Sequence, residues 1–209
     1  MKKDHDELCY SNLLQHFFSV KPKIFKKFAK KVLNITNLSE NYKILREWKN
    51  IDILIDDKEN KNVIVIENKI KSGINRVEDR HNIGSDLVQS QLKTYYEYVV
   101  NGIEYKKNNL VDIDDKENNK YKEYTGKYFF IFAPDYNHIN LKNYDCGKLY
   151  TLIEYSKIFK FFEEYKEELK EVPYFNEFLY ALQKHTKPID NSNEEEMMKR
   201  FLAKIKSKK

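Results

Sequence analysis

The chain has 209 residues and a net charge of +5, enough for one well-buried domain with a helical appendage and short of two independent domains. No apolar run approaches the ~20 residues that span a bilayer, and the opening M-K-K-D-H-D-E lacks the apolar core of a signal peptide. A cytoplasmic protein without membrane contact is therefore expected, its mild basicity permits a nucleic-acid partner without requiring one, and Cys9 and Cys146 match no zinc-ligand spacing.

In chain order, residues 4 to 18 read as a helix with Leu8, Leu13, Leu14, Phe17 and Phe18 at apolar positions. Glu7, Ser11 and Leu14 share one side of it; an acid in the first turn also suits the helix dipole. Pro22 opens a second helical stretch with Ile24, Phe25, Phe28, Ala29, Val32 and Leu33 at helical spacing and lysines outside. Such a lysine face either leans on a phosphate backbone or is simply solvated. Residues 42 to 48 lead into a strand at 51–56, where Asp52 and Leu54 alternate with Ile51, Ile53 and Ile55. After a polar turn, the run Val63 to Ile66 is apolar on both faces, the pattern of a central strand covered on both sides.

That second strand ends in Glu67-Asn68-Lys69, and a period of two places Glu67 and Lys69 on the side of Val63 and Val65. A buried carboxylate without a partner is costly, so these residues invite a chemical explanation. If the two strands pair as a hairpin, Asp52 and Glu67 share a face and can converge on a hard divalent cation, with the Lys69 ammonium beside it to stabilise charge on an attacked phosphate. The plainer reading makes Asp52 a turn-side acid and Glu67 with Lys69 an ion pair on an edge strand, worth at most ~1 kcal/mol.

Gly73 and Gly84 bracket a polar connection in which Arg76, Arg80 and His81 could clamp phosphate. Ser85 can cap a helix from Asp86 to about Val100 whose Leu87, Gln91, Tyr95 and Tyr98 form one stripe. Residues 101–127 form a charged, Asn-rich tract, read as an exposed insertion and not as a calcium loop, since its acids lack the required spacing and glycine. A second buried strand follows at Tyr128 to Ala133, a shorter one at Leu149 to Ile153, then helices with Ile158, Phe161, Phe162 and Tyr165, and with Phe175, Phe178, Leu179 and Leu182, facing inward. Residues 188–193 read as a linker, with Ser192 and Glu195 as a capping box for a last, basic helix. Its Met197, Met198, Phe201, Leu202 and Ile205 make an apolar stripe suited to the protein body, a second copy or a partner protein.

Taken together, Asp52, the triplet Glu67-Asn68-Lys69, the run Gln91-Leu92-Lys93-Thr94-Tyr95-Tyr96 and the opening Glu7-x-x-x-Ser11-x-x-Leu14 resemble the bacterial branch of the PD-(D/E)XK nuclease superfamily that carries an E-N-K triplet and a Q-L-x-x-Y-Y helix. Ile51 stands where many members have proline. The resemblance implies an α/β, restriction-endonuclease-like core over residues 1–187, a central mixed sheet of about four to five strands flanked by helices, with 188–209 as a C-terminal helical extension. It implies a metal-dependent endonuclease using Mg2+ or Mn2+ on DNA, with RNA as the alternative substrate, in a setting such as restriction or phage defence. On this resemblance Asp52 and Glu67 bind metal, with Glu7 as a third carboxylate or a ligand of metal-bound water, and Lys69 and Gln91 complete the catalytic set; Arg76, Arg80, His81 and Tyr95 are the candidate nucleic-acid contacts. The competing class is a non-catalytic nucleic-acid-binding or scaffolding module that keeps the nuclease fold.

Overall fold

The computed structural model describes residues 4–70, 73–74, 90–106, 109–112 and 119–186. Two helices come first, α1 (Asp4–Val20) and α2 (Pro22–Lys31), followed by strands β1 (Lys43–Trp48), β2 (Ile51–Asp57) and β3 (Asn62–Asn68). Helix α3 (Gln91–Tyr96) continues as a π-helical turn, Glu97–Asn101, before a small hairpin of β4 (Ile103–Lys106) and β5 (Asn109–Asp112). Strands β6 (Gly126–Ala133) and β7 (Tyr150–Glu154) lead to α4 (Tyr155–Glu164), α5 (Lys166–Leu169) and α6 (Phe175–Lys184).

Five of these strands form one mixed sheet in the order β1-β2-β3-β6-β7. The first three pair antiparallel, whereas β3 with β6 and β6 with β7 are parallel. The alternation in β2 and β3 explains how this sheet is covered on both faces. Ile53, Ile55, Ile64 and Ile66 point to one side, where they pack with Phe130 and Phe132 against α1, α2, α4 and α6. Leu54, Val63 and Val65 point to the other, against Leu92, Tyr95, Tyr98 and Val99 of the α3 region. The first layer is dense in aromatic rings: Phe162 lies within 6.2 Å, centroid to centroid, of Phe17, Phe18, Phe28, Phe175 and Phe178.

Several elements differ from the sequence reading. Residues 43–48 are a full edge strand, β1, and not a lead-in; its charged, half-exposed side chains hide the period of two. Ile51 packs with Leu54 instead of with Ile53, because it leaves a turn in which Lys49 and Asn50 both occupy the left-handed region. Leu8 is 40% exposed. Helix α3 starts at Gln91: Ser90 is extended and its hydroxyl accepts a hydrogen bond from the Leu92 amide, which makes it the N-cap. Ser85 lies outside the described residues. Replacing Ser90 with alanine should lower stability by about 1 kcal/mol, read as a drop in the thermal midpoint. The 101–127 tract carries the hairpin of β4 and β5, and its end is not exposed. Tyr121 and Tyr124 are buried, and Asp56 binds Lys120 Nζ at 2.6 Å and the Tyr124 hydroxyl at 2.7 Å.

Three of the five lysines of α2 are engaged within the molecule. Lys26 pairs with Glu40, Lys27 with Glu168 at 2.8 Å and Lys31 with Glu164, and Lys27 and Lys31 also lie over the Tyr165 ring. No helix among the described residues is long and apolar enough to cross a membrane.

Candidate active site

The strand register decides which acids meet. Ile53 pairs with Ile66, so continuing the antiparallel ladder by one residue sets Asp52 opposite Glu67 on the α3 side of the sheet. Asp52 Oδ2 accepts a hydrogen bond from the Asn68 amide at 2.7 Å. Beyond β3 the Lys69 amide donates to the Phe132 carbonyl at 2.8 Å, extending the parallel pairing and keeping Lys69 on the Glu67 side. Lys69 Nζ then lies 2.8 Å from Glu67 Oε1, with both side chains about 5% exposed or less. The same oxygen accepts from Gln91 Nε2 at 2.5 Å, delivered by the first turn of α3. Glu7 arrives from α1 and its Oε1 accepts from the Ile70 amide at 2.9 Å.

Asp52, Glu67, Lys69, Gln91 and Glu7, separated by up to 84 positions in sequence, are therefore gathered at the end of β3. Arg76, Arg80 and His81 lie outside the described residues. Tyr95, expected among the nucleic-acid contacts, is instead 5% exposed in the core beneath the sheet, with its hydroxyl donating to the Asn50 carbonyl at 2.6 Å. Being one helical turn after the buried Gln91 places it inward.

Two residues to which the sequence assigned no role, Asn68 and Arg46, hold this arrangement. Asn68, fully buried, points to the opposite face from Glu67, where its Nδ2 donates to Ser11 Oγ and to the Glu7 carbonyl, and its Oδ1 accepts from the Tyr155 hydroxyl at 2.5 Å. Its own amide meanwhile holds Asp52, so one residue ties α1 and α4 to the acidic pair. Arg46 of β1 donates to the Asp52 carbonyl at 2.6 Å and to Asn12 of α1. The sequence signal for Asn68 was a polar residue in an apolar strand, on the face away from the acids. Asn68→Ala should lower stability by roughly 2 kcal/mol, through the partners left without a hydrogen bond, and reduce turnover by roughly 10-fold to 100-fold, as loss of a supporting contact does. Melting curves and initial cleavage rates read the two effects separately.

The electrostatics follow from burying two acids with one base. Burial, then the Glu67 charge, pushes the Asp52 carboxyl up to about 8. Burial also raises Glu67, against the opposing pull of Lys69 and Gln91. Burial disfavours the Lys69 ammonium, but the Glu67 carboxylate more than compensates, so its affinity for the proton is raised. Two carboxyls and one ammonium in a water-poor site leave excess negative charge, which a retained proton or a bound cation neutralises.

The donor set suits a hard dication. Glu67 Oε2 is buried and has no hydrogen-bond partner among the described residues, although a carboxylate oxygen in such a place ordinarily has one. Asp52 and Glu67 supply oxygen ligands of the kind Mg2+ and Mn2+ prefer. Among the described residues no group of three or more His, Cys, Asp or Glu side chains is gathered tightly enough to encircle an ion, so most of the coordination would fall to water and substrate, as Mg2+ commonly has it.

A mixed five-stranded sheet with helices on its faces and an acid, acid, lysine set at the end of its central strand defines a restriction-endonuclease-like α/β fold. The family model described as the PD-(D/E)XK nuclease superfamily matches residues 3–184, and the chain belongs to that superfamily. Neither a search of curated proteins nor one of solved structures returned a match. Membership suggests a hydrolytic nuclease acting on nucleic acid, in a superfamily whose members generally use divalent metals.

Proposed function

We propose that the protein is a Mg2+- or Mn2+-dependent endonuclease that hydrolyses phosphodiester bonds of DNA. The observation that carries this reading is the buried Glu67 carboxylate, opposite Asp52 across the hairpin, with one oxygen held by Lys69 and Gln91 and the other without a partner among the described residues. Asp52 and Glu67 would hold the metal, and Glu7 would assist from α1. When bound, the dication supplies positive charge to the attacked phosphate and favours ionisation of water.

Lys69 keeps its proton at neutral pH, being paired with Glu67, so it orients the attacking water and stabilises the pentavalent phosphate more than it acts as a base. Gln91 fixes the Glu67 carboxylate through its first oxygen, which would leave the second for the metal. The water oxygen forms the new bond to phosphorus as the bond to the leaving sugar oxygen breaks. Restriction or phage defence is the setting we propose, on grounds of family alone.

The direct test is cleavage of supercoiled and linear DNA by purified protein in Mg2+, Mn2+ or EDTA, comparing wild type with Asp52→Asn. Metal-dependent nicking that the variant loses is the expected result. Cleavage of RNA alone would change the substrate, and loss of neither activity in the variant would move the chemistry away from this site. Salt-dependent DNA binding without cleavage by either protein would favour a binding module.

A further inference from the structure

Between β6 and β7 the chain crosses the edge of the sheet that carries the acidic pair. Asp135 Oδ1 accepts from the Ser156 amide of α4 at 2.9 Å, and the Tyr136 hydroxyl shares a hydrogen bond with His185 Nδ1 at 2.6 Å, so the crossing starts on the face of α4 and α6. Ile139, Leu141 and Tyr144 then pack with the cluster on the α3 face. Midway, Asn137 Nδ2 donates to the Lys69 carbonyl at 3.3 Å, which fixes the crest of the crossing beside Lys69. Two tight turns, Leu141–Asn143 and Gly147–Leu149, follow. They lie so close that a Cβ on Gly147 would sit 1.9 Å from the Leu141 carbonyl oxygen, so the surface they form is built in advance.

Charge is sorted along this crossing. Both of its acids are engaged, Asp135 by the start of α4 and Asp145 by Lys93 Nζ at 3.0 Å and the Cys146 amide. Glu97, whose charge reaches Cys146, accepts a hydrogen bond from Asn101. His138, Asn140, Lys142, Asn143 and Lys148 are exposed, and among the described residues neither lysine forms an ion pair. Lys142 follows Leu141 and Lys148 follows Gly147, the two residues in close contact, so both ammoniums belong to one patch.

We propose that residues 137–148 seat the sugar-phosphate backbone of the nucleic acid beyond the attacked phosphate, with Lys142 and Lys148 each neutralising a phosphate. The inference rests on the nuclease reading above and adds where the substrate lies. Phosphates recur every ~3.4 Å of rise along one strand, so a strand with one phosphate at Lys69 carries the next ones over the loop that begins there. Free cations beside acids that are already bonded suit a polyanion, and a preformed loop loses little freedom in meeting it.

The test is fluorescence anisotropy with a labelled DNA duplex in EDTA across a salt series, comparing wild type with Lys142→Gln/Lys148→Gln. The slope of log affinity against log salt should be shallower in the variant by ~1.8, two phosphates at ~0.9 each, so the advantage of wild type narrows about tenfold between about 50 and 200 mM salt. Lys160→Gln/Lys166→Gln, on α4 and α5, removes the same charge and should keep the wild-type slope. Thermal midpoints should not move, both patch lysines being exposed. Equal slopes for wild type and the patch variant would overturn the proposal, as would a wild type that does not bind the duplex at low salt. Cleavage judges the nuclease reading separately. A wild type that binds through these lysines without cutting keeps the surface and removes the nuclease, whereas a wild type that cuts while the patch variant keeps its slope removes the surface alone.

Discussion

Lys69→Ala is expected to lower the rate of metal-dependent cleavage by roughly 10^2-fold to 10^3-fold while leaving metal binding intact. The ammonium lies 2.8 Å from Glu67 in a nearly dry site, where a single fixed positive group aimed at developing charge is commonly worth ~10^2-fold to 10^3-fold. Its removal also strips Glu67 of its ion-pair partner. Breaking a buried pair ordinarily costs about 3–5 kcal/mol, because a charge is left without compensation. Here the loss is limited, since burial already raises the affinity of Glu67 for a proton and, without the ammonium, the carboxylate can take one up. Bound dication restores the missing positive charge, so the Lys69→Ala protein should be stabilised by Mn2+ at least as much as wild type. Asp52→Asn, in contrast, should lose both cleavage and the Mn2+-induced rise in melting temperature. Calorimetric titration with Mn2+ beside a cleavage assay separates the two variants. An Asp52→Asn protein that binds and cuts like wild type would remove the acidic pair from the mechanism.

In the absence of metal, stability should fall as pH rises from about 4 to about 8, and Mg2+ should suppress that fall. The sign follows from Asp52, whose carboxyl ionises near 3.8 when unperturbed and near 8 in the folded chain. Below pH 4 it is protonated in folded and unfolded chains alike, so it contributes no slope. Between the two values the unfolded chain has already released its proton and the folded chain has not, which favours unfolding progressively at ~1.4 kcal/mol per pH unit and amounts to a few kcal/mol. Above pH 8 both forms are ionised and the slope ends. A dication held by Asp52 and Glu67 needs both carboxylates ionised, so its stabilising effect should grow over the same interval and level off near pH 8. Thermal melts in EDTA and in Mg2+ across this range, with Asp52→Asn as reference for all other titrating groups, give the comparison. A wild-type curve parallel to that of Asp52→Asn would show that Asp52 does not carry the proton.

The parts of the site legible in the sequence were those written into strand alternation. Asp52, Glu67 and Lys69 interrupt apolar runs at positions of fixed parity, so a period of two was enough to set them on one face, and the hairpin register then made them opposite neighbours. Asn68 carries the same kind of signal but points to the face where helices pack, and nothing local shows that Ser11 and Tyr155, 57 and 87 positions away, come to meet it. Arg46 was hidden with its strand, because an edge strand that is half exposed has no apolar alternation to reveal it. The start of α3 shows a different limit. Ser85 and Ser90 are equally good caps by chemistry, and the choice between them is made by Gln91, which must reach Glu67 from the first turn.

The ion pairs that bind α2 to its neighbours change what the protein's overall charge says about its dealings with a polyanion. Lys26, Lys27 and Lys31 each face a glutamate of the same chain, so the excess of three that they add to a charge count is already answered internally. Counterions condensed on a nucleic acid would be displaced by lysines and arginines elsewhere. The salt dependence of DNA affinity, which counts phosphates neutralised, should thus be the same for Lys27→Gln as for wild type. What this substitution disturbs is the seam between α2 and the helices that follow β7. For these three lysines, ionic strength acts on the cohesion of the scaffold, and other cationic groups set the grip on a substrate.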